Sequence, residues 1–158
     1  MNRKSDTTRF AVITVVVLVM LFVLAACAPA ESGSSGKPAR PSNAGEAGPA
    51  VNLTGNAQKG ADVFKTNCAS CHGDQGKAGM TNPGSKDGSV PALNPIDPTM
   101  VNADTKVFAT NIDLFIEHGS TPEGDAPTLK MLPFGDQKTL AAQDIADVIA
   151  YVISLNKK

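Results

Sequence analysis

The sequence predicts a small all-α domain on an N-terminal tether, and three observations carry that prediction. Three stretches place apolar residues at the i, i+3, i+4, i+7 spacing of one helical face. A Cys-x-x-Cys-His run, Cys68-Ala69-Ser70-Cys71-His72, continues the face of the first of them, with no strand pattern around it. From Ala28 to about Val51 there is no apolar periodicity, so the helices are confined to the C-terminal two thirds.

Length and composition bound the answer. The chain has 158 residues, room for one domain and a tail. Fourteen Lys and Arg stand against 15 Asp and Glu, a balance that excludes nucleic acid as a partner, which would want a basic face. Aromatic residues make up 4 % and Trp is absent, so a domain of about 100 residues has a thin core that a buried cofactor would fill out. The three cysteines, an odd number, do not form a simple disulfide framework.

Residues 1–26 read as a targeting segment. Arg3, Lys4 and Arg9 precede an apolar run from Phe10 to Ala26, broken only by Thr14. The run is long for a signal core and slightly short for a membrane span of about 20 residues. Its end, Leu24-Ala25-Ala26-Cys27, resembles the lipobox of bacterial lipoproteins, in which cleavage precedes a cysteine that is then lipidated. The alternative is an uncleaved anchor helix with Cys27 incidental. Both readings hold the domain at the cell membrane on its extracytoplasmic side, because the basic residues favour the cytoplasm. Residues 27–53 follow as the lipidated Cys27 and a flexible Ala/Gly/Pro/Ser-rich linker, expected to reach roughly 25–30 Å as a coil.

The folded domain is expected over residues 54–158. Its first helix opens at Thr54 or Asn56, both good caps, and lines up Ala57, Gly60, Ala61 and Phe64, with Cys68 one turn on. A stretch rich in Gly, Pro, Asn and Asp then runs from Gly73 to about Asp104, long enough to wrap a ligand. A short second helix carries Ile112, Phe115 and Ile116, with Asn111 available as its cap and Gly119 past its end. The third carries Ile145, Val148, Ile149 and Val152, extended by Tyr151 and Leu155. Asp144 and Asp147 suit its N-terminus, while Ala141 is a poor cap and Thr139 an alternative one.

The spacing of Cys68, Cys71 and His72 is that of c-type haem attachment. Two thiols must reach the two vinyl groups on one side of the porphyrin, and the adjacent imidazole must rise from that edge to the iron. The rival readings are short of residues or context. A thioredoxin-like pair wants a βαβ setting. A zinc site needs more donors than His118 and Cys27 supply. A Cys68–Cys71 disulfide leaves His72 and the export signal unexplained.

Several motifs in order extend the haem reading into a family resemblance. Gly60, Phe64 and Cys68-Ala-Ser-Cys-His-Gly73 are followed by Gly76-Lys77, Pro91-Ala-Leu93, Met131-Leu-Pro-Phe-Gly135 and Asp144-Ile-Ala-Asp-Val-Ile-Ala-Tyr151. From about Thr54 to Leu155 the domain resembles a class I (monohaem) cytochrome c. The resemblance implies three or more helices wrapped around one covalent haem c. It implies His72 as the proximal iron ligand and Met131 as the distal one, with Pro91 offering its carbonyl to the other ring nitrogen of His72 and Leu93 packing on the haem. Gly60, Phe64 and Tyr151 would form the crossing of the first and last helices. Leu132 departs from the Pro common beside the distal Met, and Ala141 from the usual capping Ser. Met100 and Met80 are the alternatives to Met131, and His118 a weaker one.

With both axial positions filled, no small-molecule substrate can bind the iron, and outer-sphere electron exchange remains. The resemblance therefore implies an electron-transfer protein of a respiratory or photosynthetic chain, not itself an enzyme. It would act as a tethered shuttle between redox protein partners or as a subunit of a membrane respiratory complex, such as alternative complex III or an oxidase. The alternative is a haem enzyme or gas sensor whose sixth iron position is open or labile. From Thr54 onward nine Lys face twelve Asp and Glu, with no lysine ring for docking an acidic partner.

Overall fold

The computed structural model describes residues 45–77 and 79–157. The signal segment, Cys27 and the linker up to residue 44 lie outside the described residues. Four helices follow one another: α1 (Ala57–Asn67), α2 (Ala69–His72), α3 (Thr105–His118) and α4 (Ala142–Asn156). Short 3-10 turns at Pro49–Asn52, Asp74–Gly76 and Pro98–Met100 punctuate the connections. Among the described residues there is no strand, only isolated bridges pairing Thr81 with Ser89 and Ser120 with Met131. The domain is all-α, and none of these helices is long and apolar enough to cross a membrane.

α1 and α4 cross at the centre. Asn56 caps α1, its Oδ1 accepting from the N–H groups of Gln58 (3.0 Å) and Lys59 (3.1 Å). Gly60 lies against α4 where a Cβ would overlap the Asp147 carbonyl and touch Tyr151. The missing side chain lets the backbones approach and brings the rings of Phe64 and Tyr151 to 5.3 Å between centroids, tilted by 59°. Phe64, Ile145, Val148 and Val152 are almost completely buried there. Asp147 helps to hold the crossing from inside, since its Oδ1 accepts from the Asn56 N–H (2.7 Å) and from Gln143 Nε2 (2.9 Å). Gly60→Ala is therefore expected to cost about 1–3 kcal/mol, the range for overpacking a close contact. Chemical denaturation followed by far-ultraviolet circular dichroism reads it directly.

α3 is longer than its apolar spacing predicts. Asp104, not Asn111, caps it, accepting from Lys106 N–H (2.8 Å) and Val107 N–H (3.4 Å). Asn111 sits inside the helix, buried, with its Nδ2 donating to the Met100 carbonyl (2.9 Å). Met100 joins Phe108, Ile112 and Ile116 in the core. On α4, Ala141 stands at the N-cap without a side-chain bond. Asp144 reaches back to its N–H instead (3.3 Å), while Thr139 bonds the Phe134 carbonyl.

The folded body also begins earlier than residue 54. Ala50 is buried at 2 % exposure. The Gly48 N–H donates to Oδ2 of the fully buried Asp113 (2.6 Å), and Lys106 Nζ donates to Asn52 Oδ1 (3.2 Å). Small residues that read as linker here allow this arm to lie close against α3. Asp113 Oδ1 finds no partner among the described residues, and burial pushes its carboxyl above the usual carboxylate range.

His118 pins the same arm. Nδ1 faces Asp136 Oδ2 (2.9 Å) and Nε2 faces the Glu46 carbonyl (2.8 Å), two acceptors that only the protonated ring satisfies together. The Asp136 hydrogen bond first, then the Glu46 carbonyl, raises its pKa above the ordinary histidine value. The stability it contributes is complete below the unfolded pKa of about 6.5 and is lost as pH rises through the higher folded value. His118→Gln is expected to remove that alkaline loss, on the order of 0.5–1 kcal/mol for a solvent-screened pair. Denaturation midpoints of the two proteins across this pH window should converge at the alkaline end.

Candidate haem site

The Cys-x-x-Cys-His run folds as one helical turn. Cys68 ends α1, its N–H donating to the Phe64 carbonyl (2.8 Å). The N–H groups of Cys71 (3.1 Å) and His72 (2.9 Å) then donate to the Cys68 carbonyl. Offsets of three and four residues in this turn place Cys71 and His72 on the face of Cys68. Gly73 ends the turn at φ 77°, a left-handed value that favours glycine. All three side chains are partly buried, and the two thiols are not joined to each other.

The surroundings of Cys68 disfavour its thiolate. Burial, with Cys71 adding to it, pushes the Cys68 thiol up to about 11. A redox or metal-binding cysteine pair wants the opposite shift. Among the described residues no three His, Cys, Asp or Glu side chains gather as a metal-binding cluster of their own.

His72 has one ring nitrogen committed to the backbone. Its Nδ1–H donates to the Pro91 carbonyl (2.8 Å), as the resemblance implies. A carbonyl only accepts, so the proton resides on Nδ1 and the Nε2 lone pair is left for iron. Burial lowers the pKa of the ring against the opposing effect of that hydrogen bond, which favours the neutral, ligating form.

Pro91 is held by its neighbours. The Val90 N–H donates to the Met80 carbonyl (2.8 Å), and the N–H groups of Leu93 (2.8 Å) and Asn94 (3.0 Å) donate to the Gly76 carbonyl. Gly76, at φ 69°, is buried under Leu93. From the far end of α4, Asn156 bonds the Leu93 carbonyl through Nδ2 (2.8 Å) and the Ile96 N–H through Oδ1 (2.9 Å). Nothing in the sequence pattern marks Asn156, a polar residue at a helix end, as a clamp on this loop.

The methionines occupy distinct places. Met131 is partly buried, and Cys68, Leu93 and Met131 all border the same apolar core. Its backbone is bridged to Ser120 in both directions (2.9 and 3.1 Å), just past the end of α3. Met100 is buried within the core, and Met80 is exposed. His118 uses both ring nitrogens on Asp136 and Glu46. A neutral imidazole with a free Nε2, two unpaired thiols in the same turn and a thioether bordering the same core are donors of the kinds a covalent haem takes, so the residues present fit one.

Residues 55–152 match the family described as cytochrome c oxidase, cbb3-type, subunit III. Among curated proteins, a cbb3-type cytochrome c oxidase subunit FixP of Rhizobium meliloti (strain 1021) is 32 % identical over 100 residues. Its counterpart in Sinorhizobium medicae (strain WSM419) is equally similar. Each match covers 62 % of this chain and 29 % of the relative, so the chain spans less than a third of the length of the relatives it matches. No solved structure matches the chain.

Proposed function

The chain belongs to the cytochrome family of cbb3-type cytochrome c oxidase subunit III, and we propose that it is a membrane-tethered monohaem cytochrome passing single electrons as part of a respiratory oxidase system. The observation that carries the proposal is the tautomer of His72, fixed by Pro91 in the same turn as two free thiols. The haem supplies one reversible electron when bound. Cys68 and Cys71 would hold it covalently, and His72, through Nε2, and Met131 would supply the ligands to its iron. With Met131 in place the protein binds no substrate at iron, so its work is exchange with other redox proteins.

Cys27 is proposed as the lipidated residue that anchors the chain on the extracytoplasmic side, with the residues after it as the spacer. The FixP relatives are named as oxidase subunits, which favours residence in a membrane oxidase over free shuttling. A native gel of membranes solubilised in mild detergent, stained for haem and probed for this chain, tests that choice. Co-migration with a large haem-containing complex is the expected result. A small species running alone would make the protein a tethered carrier.

A further inference from the structure

The two loops that flank the site are zipped together, and one side chain lies at the centre of the zip. Asn82 has 0 % exposure. Its backbone is committed to its own loop, with the N–H donating to the Gly88 carbonyl (2.8 Å) and the carbonyl accepting from Ser85. Its side chain crosses 47 residues of sequence to Leu129. Nδ2 donates to the Leu129 carbonyl (3.0 Å) and Oδ1 accepts from the Leu129 N–H (2.8 Å). The amide thus makes both bonds that a paired strand residue would make with its backbone.

Leu129 lies two residues before Met131, whose own backbone is tied to Ser120. The distal segment is therefore gripped at residue 129 by Asn82 and at residue 131 by the end of α3. The grip also reaches the proximal side. The loop that carries Asn82 is anchored near its start by the Met80 N–H on the Cys71 carbonyl (3.0 Å) and ends at Pro91, the acceptor for His72. Beside Asn82, the Pro83 carbonyl accepts from the Thr128 N–H (3.0 Å) and from Thr128 Oγ1 (3.1 Å).

We propose that Asn82 is the positioning residue for the distal ligand, holding Met131 on the iron by fixing the backbone two residues ahead of it. The proposal rests on the reading of Met131 as that ligand. Without the amide, two backbone groups of Leu129 lose their buried partner, and the distal segment loses its central tie while the bonds at Thr128 and Met131 remain and the His72 side stays held by Pro91.

The test compares Asn82→Ala, Met131→Leu and Asn111→Ala as intact holoproteins. Asn111 is a buried asparagine that likewise holds a loop backbone, at the Met100 carbonyl, and it serves as the control for general loosening. The readouts are carbon monoxide binding to the reduced protein and the sulfur-to-iron charge-transfer band of the oxidised one. Asn82→Ala is expected to weaken the band and to speed carbon monoxide binding by about tenfold or more, the factor that loss of one or two net hydrogen bonds predicts. Met131→Leu should abolish the band and open the site fully, and Asn111→Ala should leave both readouts near those of the parent. If Met131→Leu opens the site but Asn82→Ala behaves like Asn111→Ala, the positioning role is wrong while the ligand stands. If Met131→Leu changes neither readout, the ligand assignment itself fails and the role of Asn82 falls with it.

Discussion

Replacing both Cys68 and Cys71 with alanine is expected to leave a chain that neither retains haem through denaturation nor folds stably. The reason lies in the core. Its fully buried aromatic side chains are Phe64 and Phe108, with Phe115, Phe134 and Tyr151 partly buried against it, and apart from Met100 the rest of its buried side chains are aliphatic. A small domain has only about 5–15 kcal/mol of net stability, and a cofactor bound to the native state alone contributes to it directly. Removing both attachment points is expected to take away most of that margin. The single variants should keep part of the haem, because His72 and the remaining thiol still engage it. Haem staining after denaturing electrophoresis and far-ultraviolet circular dichroism read attachment and folding separately. Full helicity in the double variant, with no haem present, would show that the core stands without the cofactor.

Met131→Leu carries the second large effect. Leucine keeps the volume and apolar character of methionine but has no lone pair, so the backbone bridge to Ser120 should survive while ligation is lost. The thioether stabilises reduced iron, and axial ligation spans a range of roughly 0.8 V in haem proteins. A fall in reduction potential on the order of 0.2 V is expected, about a quarter of that range. A potential unchanged to within a few hundredths of a volt would move the distal ligand to another residue. Met100, buried in the core, and Met80, exposed beside the loop, would then be replaced in turn.

The parts of the fold that could be read from sequence are those in which one residue type does one job. The stripe of Ile145, Val148, Ile149 and Val152 is apolar and buried, so periodicity finds α4. Gly60 and Phe64 sit one turn apart on the face that leads into Cys68, so periodicity finds α1 and the turn after it, while the crossing with α4 is what the family resemblance implies. The parts that could not be read depend on polar residues used from the inside. Asn111 and Asp113 interrupt the apolar pattern of α3 and hide its N-terminal half, yet both are buried and hold backbone groups of neighbouring segments. Asp147 reads as a helix-dipole residue and is in fact an internal tie to Asn56.

The same limit applies to the arm before α1 and to the loops around the candidate site. Gly48 and Ala50 have the composition of a linker, and the acceptor offered by Asp113, the burial of Ala50 and the contacts of His118 with Glu46 and Lys106 with Asn52 make the arm part of the folded body. Asn82 lies among residues that favour turns and Asn156 ends α4, and in both places a polar side chain turned inward gives no hydropathy signal. Local pattern reports the elements and the ligand motif. The positions of the loops are set by hydrogen bonds between residues far apart in sequence, such as Asn82 and Leu129 (47 apart) or Asn156 and Leu93 (63 apart), which spacing along the chain does not encode.

The central claim is one haem held by two thioethers in the turn between α1 and His72. Mass measurement of the purified protein, intact and after cleavage at lysine, tests it most directly. The peptide Thr66–Lys77 contains both cysteines and His72. The expected result is a Thr66–Lys77 peptide heavier than its polypeptide by one haem, with no haem increment on any other peptide and the lipid of Cys27 accounting for the rest of the intact mass. An unmodified peptide, or one lighter by the two hydrogens of a disulfide, would contradict it.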